Sequence, residues 1–271
     1  MAQMELVIKL ELKHYLSLAV KLFQYIKIQM ELILMKIVGA MFPNEMALKT
    51  KEEKADLGIA LDGDADRVVF SDENGNLIDC DQILGVLALN LFNLNQLKNN
   101  TVVGTIMTNI GFENFLNDND INLKRVNVGD RYILDEMLNN NYNLGGEPSG
   151  HVIMSDHTKS GDGLLTAIKI ISLLKKSGKK ASEYLRPFSI TPYKIKNLKK
   201  INHNILETES VKNSLKKIQL DLKNKHNGRL LVRPSGTEPI VRILVECEYD
   251  NKIDQYISKV QDLLVKENSS E

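Results

Sequence analysis

The 271-residue sequence has no net charge to work with: 35 lysines and arginines stand against 35 aspartates and glutamates. Without an excess of either sign there is no global field to draw the chain onto nucleic acid or an anionic membrane, so neither is expected as a partner. Cysteine is nearly absent. Cys80 and Cys247 are the only two and form no metal-ligand spacing. They read as thiols of a reducing cytoplasm, which is the expected location. Internal repeats and low-complexity linkers are also missing. What remains is an ordinary globular composition, 43% hydrophobic and 26% charged, in a length that suits about two domains. Function therefore has to be read from local constellations.

The first 38 residues lack more than the rest. Met1 to Val38 contains no Gly, Pro, Asp, Asn, Thr or Arg, and Ser17 is its only residue with cap chemistry. Lys9, Lys13, Lys21, Lys27 and Lys36 interrupt it too often for a spanning helix, which needs about 20 predominantly apolar residues. No short apolar core leads to a small-residue cleavage site, which argues against a signal peptide. Two readings stay open: an amphipathic helix, or sequence never selected to fold.

From Gly39 the chain carries normal punctuation. Helices are expected at Asn44–Asp56, Gln82–Asn93, Asp130–Asn139 and Gly161–Lys176. Strands are expected at Leu57–Leu61, Arg67–Ser71 and Thr101–Ile106, with a hairpin-type turn at Asp72–Asn76. This alternation predicts α/β layering. After Pro187 the rhythm changes. Strands at Lys194–Leu198, Arg229–Arg233 and Ile240–Val245, with helices at Glu207–Leu222 and Ile253–Val265, predict a small separate α+β module.

Three constellations carry chemistry. In Asp62-Gly63-Asp64-Ala65-Asp66-Arg67, between two apolar strands, three carboxylates at alternate positions converge only if something cationic neutralises them. All-oxygen ligation suits a hard divalent ion such as Mg²⁺. The bland alternative is a solvated acidic turn. An EF-hand loop is a sharper rival, because Glu73 is twelfth from Asp62, but its sixth position demands Gly and holds Arg67, and its flanks read as strands. In Gly145-Gly146-Glu147-Pro148-Ser149-Gly150-His151, flanking glycines allow close backbone approach to a ligand. Glu147 and Ser149 suit sugar hydroxyls, and His151 is of the type that exchanges a proton near neutral pH. A Gly-rich turn with a structural His fits the same residues. In Arg233-Pro234-Ser235-Gly236-Thr237-Glu238-Pro239, Arg offers a fork for phosphate, and the loop N–H groups around Gly236 offer an anion nest. An ordinary Pro/Gly hairpin loop is the alternative. Arg242, early on the next strand, can flank the same anion as Arg233.

Together and in this order, the three loops resemble those of the α-D-phosphohexomutases, whose four domains each contribute one loop to a central cleft. The resemblance covers Gly39 to Lys266. It implies an α/β fold of mixed-sheet domains followed by a small α+β C-terminal domain. It divides the chain into an atypical segment 1–38, part of a second domain at 39–79 with the metal loop, a third domain at 80–189 with the sugar loop, and a fourth at 190–271 with the phosphate loop. By this resemblance Asp62, Asp64 and Asp66 bind Mg²⁺, while Glu147, Ser149 and Gly150 hold sugar hydroxyls. Arg233, Ser235, Gly236, Thr237 and Arg242 bind the substrate phosphate, and Arg67 and His151 match positions implicated in proton transfer or in orienting the reacting hydroxyl. Ala65, Gly236, Val128-Gly129-Asp130-Arg131-Tyr132 and Ser160-Gly161-Asp162-Gly163 resemble the phosphoglucosamine branch; Pro148 departs from it, where Gln is more usual. The implied partner is a small sugar phosphate, and a homodimer is the expectation for a complete protein.

The family's catalytic serine lies in a Ser-His-Asn-Pro type segment, and no such segment occurs here; Ser17 sits in Leu16-Ser17-Leu18. The expectation is a phosphohexomutase chain lacking its first domain, with residues 1–38 read out of frame or from a truncated gene start, and with little or no turnover alone. The alternatives are a non-catalytic sugar-phosphate-binding protein, or a mutase with phosphomannomutase/phosphoglucomutase specificity.

Overall fold

The computed structural model describes residues 4–8, 43–235 and 239–269. These form two compact units. One runs through Thr108 and from Phe112 to Ser189; the other comprises Asn109–Gly111 and Ile190 onward.

The first unit begins with β1 (Met4–Ile8), α1 (Pro43–Glu52), β2 (Leu57–Leu61), β3 (Val68–Asp72) and β4 (Leu77–Ile78). The strands make one antiparallel sheet in the order β1-β2-β3-β4. Met4–Ile8 is thus a strand, contrary to a helix across the first 38 residues; it lies on β2 in the register Met4↔Leu61 to Ile8↔Leu57. The physical gain is that the N–H and C=O groups along that edge of β2 are paired by backbone. The rest of the 1–38 segment lies outside the described residues. Between β3 and β4 the expected turn forms: Asp72 accepts from Asn74 N and Asn76 N, both at 2.9 Å.

α2 (Cys80–Asn93), β5 (Thr101–Thr105), α3 (Ile110–Asp118), β6 (Asn122–Val126), α4 (Asp130–Asn140), β7 (Leu144–Gly146), β8 (Val152–Met154), α5 (Gly163–Ser177) and α6 (Ala181–Tyr184) follow. The second sheet has the order β6-β5-β7-β8, parallel except for its last pair. Sequence reading missed α3, β6, β7 and β8. β7 and β8 are only three residues each, and Gly145-Gly146 reads as turn until the parallel neighbour β5 supplies hydrogen bonds. One core joins the sheets and helices, from Leu57 and Phe70 through Leu84, Val102 and Phe112 to Ile170 and Leu185. Phe188 stacks on Phe112 and Phe115 at its margin. Cys80 and Cys247 are both buried free thiols.

The second unit contains β9 (Tyr193–Lys199), α7 (Glu209–His226), β10 (Arg229–Pro234), β11 (Ile240–Glu246) and α8 (Asp250–Asn268). Its antiparallel sheet runs β10-β11-β9. Val211 and Leu222 of α7 pack with Val241, Ile243 and Val245 of β11 and with Ile253, Tyr256, Val260 and Leu264 of α8. The first two strands of the chain's aspartate loop, the mixed second sheet and this α+β module match the fold expected from the sequence. Among the described residues no helix is long and apolar enough to cross a membrane.

Candidate functional site

The aspartate loop is the six-residue turn between β2 and β3, both buried strands. Ala65 adopts φ +59° and its N–H donates to Asp62 O at 3.2 Å, which closes the turn. Asp62 Oδ1 accepts from Arg67 N at 3.1 Å, and Arg67 Nε lies 3.3 Å from Asp62 Oδ2 and 3.7 Å from Asp66 Oδ1. One carboxylate oxygen from each of Asp62, Asp64 and Asp66 falls within 4.8 Å of the others. Burial, a hydrogen bond to Asp62 and repulsion from Asp62 and Asp64 together raise the Asp66 carboxyl above its ordinary range. Asp66 Oδ1 is buried without a hydrogen-bond partner. Three anions with one guanidinium leave a charge of about minus two, and repulsion between carboxylates this close is on the order of 3 kcal/mol per pair in a polar interior. The donor set is all oxygen. A hard divalent cation fits it. An EF-hand does not: the flanks are strands, and the Glu73 carboxylate is taken by Ser182 N at 3.0 Å and Ser182 Oγ at 2.5 Å.

The Gly-rich loop, Glu147–His151, joins β7 to β8. Glu147 N donates to His151 O at 2.9 Å and Gly150 N to Glu147 O at 3.1 Å, so the turn is self-closed. It is also stitched to the aspartate loop. Val68 N donates to Gly150 O at 3.1 Å, and Arg67 and His151 form an isolated antiparallel bridge. Sequence reading placed these residues in separate constellations 80 positions apart; the structure makes them one surface. The Glu147 carboxylate is held on both oxygens, by Gly129 N at 2.8 Å and Ser149 Oγ at 3.1 Å. Gly129 precedes α4, so Glu147 ties the Val128–Tyr132 segment to the loop. Ser149 is exposed, whereas His151 is 5% exposed, with Nδ1 at 3.1 Å from Asp66 Oδ2.

A further segment belongs here, Ser160-Gly161-Asp162-Gly163, which the sequence marked by its family resemblance and as a helix start but not as part of a site. Asp162 caps α5 by accepting from Leu165 N at 2.8 Å. Gly163 N donates to Ala65 O at 2.8 Å, which seats the start of α5 on the aspartate loop. Gly161 lies against the His151 ring.

In the second unit, Arg233 and Arg242 are cross-strand partners on β10 and β11. Burial, then the neighbouring Arg242, lowers the Arg233 guanidinium from its ordinary value, and Arg233 Nε is buried without a hydrogen-bond partner. Like charges placed directly opposite each other are unfavourable, and an anion between them reverses the sign. Ser235 N donates to Ile240 O at 2.9 Å, closing the base of the loop. Gly236 and Thr237 lie outside the described residues. Sequence reading also missed Asn109 in this unit: its side chain donates to Thr191 O at 3.0 Å and Glu246 Oε1 at 3.1 Å, while the buried Glu246 pairs with Arg229.

Comparison with known proteins gives a consistent result. Residues 79–189 match the phosphoglucomutase/phosphomannomutase alpha/beta/alpha domain III and residues 191–263 match the phosphoglucomutase/phosphomannomutase C-terminal domain. The chain is 43% identical over 229 residues to the phosphoglucosamine mutase of Caldanaerobacter subterraneus subsp. tengcongensis, covering 83% of this chain and 51% of that protein. It is 44% identical over 211 residues to the phosphoglucosamine mutase of Ruminiclostridium cellulolyticum, covering 77% and 46%. The chain thus spans about half the length of the curated relatives it matches. Among solved structures, a phosphoglucomutase/phosphomannomutase family protein from Burkholderia thailandensis superposes with a TM-score of 0.67 at 19% identity, covering 84% of this chain and 51% of that one. The Aspergillus fumigatus N-acetylphosphoglucosamine mutase in complex with GlcNAc-6P and magnesium superposes with a TM-score of 0.64 at 16% identity, covering 78% and 48%. These two likenesses bear on the fold.

Proposed function

This chain belongs to the phosphoglucomutase/phosphomannomutase family, and from that premise we propose that it serves a phosphohexomutase interconverting glucosamine 6-phosphate and glucosamine 1-phosphate. The observation that carries the reading is the joining of the Asp62–Asp66 carboxylates to the Glu147–His151 loop through the Arg67–His151 bridge. Identity of 43% to phosphoglucosamine mutase favours an amino sugar over other hexoses. The domain division follows the same reading: 39–79 carries the metal loop, 80–189 the sugar loop and 190–271 the phosphate loop.

The reaction moves a phosphoryl group from a phosphoserine to the free hydroxyl of the sugar phosphate. The bond from phosphorus to serine oxygen breaks, one to sugar oxygen forms, and the hydroxyl proton ends on the freed serine oxygen. The bisphosphate reorients and returns its other phosphoryl group. Such transfer is mainly positioning and electrostatics. Asp62, Asp64 and Asp66 would hold Mg²⁺, which would offset charge on the phosphoryl oxygens. Arg67, fixed between Asp62 and Asp66, stabilises charge there with its guanidinium. Glu147 and Ser149, already fixed by Gly129 and by each other, present their remaining lone pairs to sugar hydroxyls. Arg233 and Arg242, with Ser235, Gly236 and Thr237, hold the phosphate that is not reacting. Such sugar phosphates are cytoplasmic metabolites, and the free thiols of Cys80 and Cys247 suit that compartment.

Calorimetric titration of the chain with glucosamine 6-phosphate, with and without Mg²⁺, tests the reading. Binding is expected, and Ser149→Ala should weaken it by up to about tenfold, the cost of one hydrogen bond. No binding at all would overturn the proposal. The sequence contains no Ser-His-Asn-Pro segment, so turnover by the chain alone, with glucose 1,6-bisphosphate as activator, should stay below detection. Binding that persists without turnover when a serine-bearing first domain is supplied would favour a non-catalytic sugar-phosphate-binding protein.

A further inference from the structure

We propose that a cavity between α2 and α5 binds a small ligand of one chemical class: a single ring that bears an anionic group. The cavity measures about 200 Å³, and no residue of the aspartate, Gly-rich or phosphate loops lines it. It stands independently of the mutase reading.

Helical spacing builds its floor. Leu87, Leu91 and Leu94 recur at intervals of four and three residues, so they share one face of α2 and its C-terminal end. Leu173 faces them from α5, and Met154 at the end of β8 closes the bottom. Leu87 and Met154 are buried, Leu91 and Leu173 only partly so, and Leu94 is 55% exposed. An apolar surface therefore opens to solvent between the helices. A dry cavity of about 150 Å³ takes up benzene, so this volume suits one ring with a substituent. It falls short of the roughly 300–1,000 Å³ of sites for drug-sized ligands.

The polar rim decides the sign of the ligand. Asp156 is the carboxylate on that rim, and both its oxygens are taken: Lys98 Nζ donates to Oδ1 and Asn143 Nδ2 to Oδ2, each at 2.6 Å. Asn143 is buried, gives its second amide hydrogen to Gln96 O at 2.9 Å, and accepts from Lys98 N at 2.9 Å. Burial opposes the ionisation of Asp156, but the bonds from Asn143 and Lys98 outweigh it and hold the carboxyl below its ordinary range. Asp156 is thus an anion already matched by Lys98.

Lys169 and Lys176 also line the cavity, two turns apart on one face of α5 with Ser172 between them. Neither forms an ion pair or a side-chain hydrogen bond among the described residues. The rim therefore sets two unmatched ammonium groups beside an apolar floor. A neutral apolar guest leaves the lysines unmatched, and an inorganic anion leaves the leucines wet. A ring bearing an anion satisfies both. Lys169 is half-buried and Lys176 exposed, so Lys169, less screened by water, makes the stronger contact.

Phenyl phosphate is the probe, titrated into the whole chain carrying carbon-13 at its methionine methyls. Met154→Leu, a volume-conserving change, assigns the signal from the cavity floor. That signal should shift with a dissociation constant on the order of 1 mM, as suits a ligand of this size. Methyl phosphate, which lacks the ring, should bind at least about tenfold more weakly. Lys169→Gln should weaken phenyl phosphate by about tenfold, the loss of one charge-assisted hydrogen bond, and Lys176→Gln by no more than about fivefold. The shift should persist in Arg242→Gln, which separates this cavity from the phosphate loop. A Met154 signal that stays still would overturn the proposal. So would equal affinity for methyl and phenyl phosphate, or undiminished binding in Lys169→Gln.

Discussion

Gly150→Ala probes whether the aspartate and Gly-rich loops are one rigid piece. Gly150 has φ +97°, and its carbonyl receives Val68 N. An L-residue forced into left-handed backbone costs about 1–2 kcal/mol. The new methyl would also stand 2.5 Å from Val68 O and 3.2 Å from its carbonyl carbon. Those are backbone atoms of a paired strand, so relief requires shifting β3 or the loop, and overpacking of this kind costs about 1–3 kcal/mol. The sum is about 3 kcal/mol. Gly178→Ala provides the control: φ is +66°, but nothing lies within 4 Å of the added carbon, so strain alone applies at about 1 kcal/mol. With a urea slope of about 2 kcal/mol per molar, the unfolding midpoint of the first unit should drop by about 1.5 M in Gly150→Ala and about 0.5 M in Gly178→Ala. Urea titration followed by far-ultraviolet circular dichroism reads both. Equal drops would refute the argument, because they would mean that the loop yields to the methyl and is not locked to β3.

Burial and the hydrogen bond to Asp221 push the Tyr256 phenol up to about 12, against about 10 in an unfolded chain. Between those values the unfolded state releases a proton that the folded state keeps, so this group's stabilisation is complete below about pH 10 and is lost as pH rises through about 12. Tyr256→Phe should flatten that part of the urea-midpoint profile; an unchanged slope would contradict the assignment. Glu73 behaves oppositely: burial opposes its ionisation, but hydrogen bonds from the Ser182 hydroxyl and N–H outweigh it and hold the carboxyl below its ordinary value. Its contribution is therefore present above the unfolded carboxyl value and lost as pH falls through the folded one. Ser182→Ala should raise the Glu73 midpoint measured by carbon-13 NMR, and no movement would show that the hydroxyl is unimportant. For the Arg233–Arg242 pair, inorganic phosphate at about 100 times its dissociation constant should stabilise the chain by about 2.7 kcal/mol. Arg242→Gln should remove most of that gain; an equal gain in the variant would place the anion elsewhere.

The sequence alone determined the parts whose signals are local. Leu57–Leu61 and the apolar run after Arg67 are short, largely buried strands whatever surrounds them, so the intervening aspartates had to sit at a strand-to-strand turn. Asp72 to Asn76 carries its own turn chemistry, and the strands flanking Arg233-Pro234-Ser235 are apolar enough to be read without context. The order of the three loops was sufficient to place the chain in its family. Tertiary structure decided which groups meet. Gly145-Gly146 became strand because β5 offered a parallel edge. Glu147 turned its carboxylate to Gly129 N, 18 residues away, and His151 turned to Asp66, 85 residues away. Nothing in residue type or spacing encodes those choices. Each polar group takes whichever partner the packed backbone brings within hydrogen-bond distance once water is excluded, and Gly161 above the His151 ring shows how one missing β-carbon settles the result.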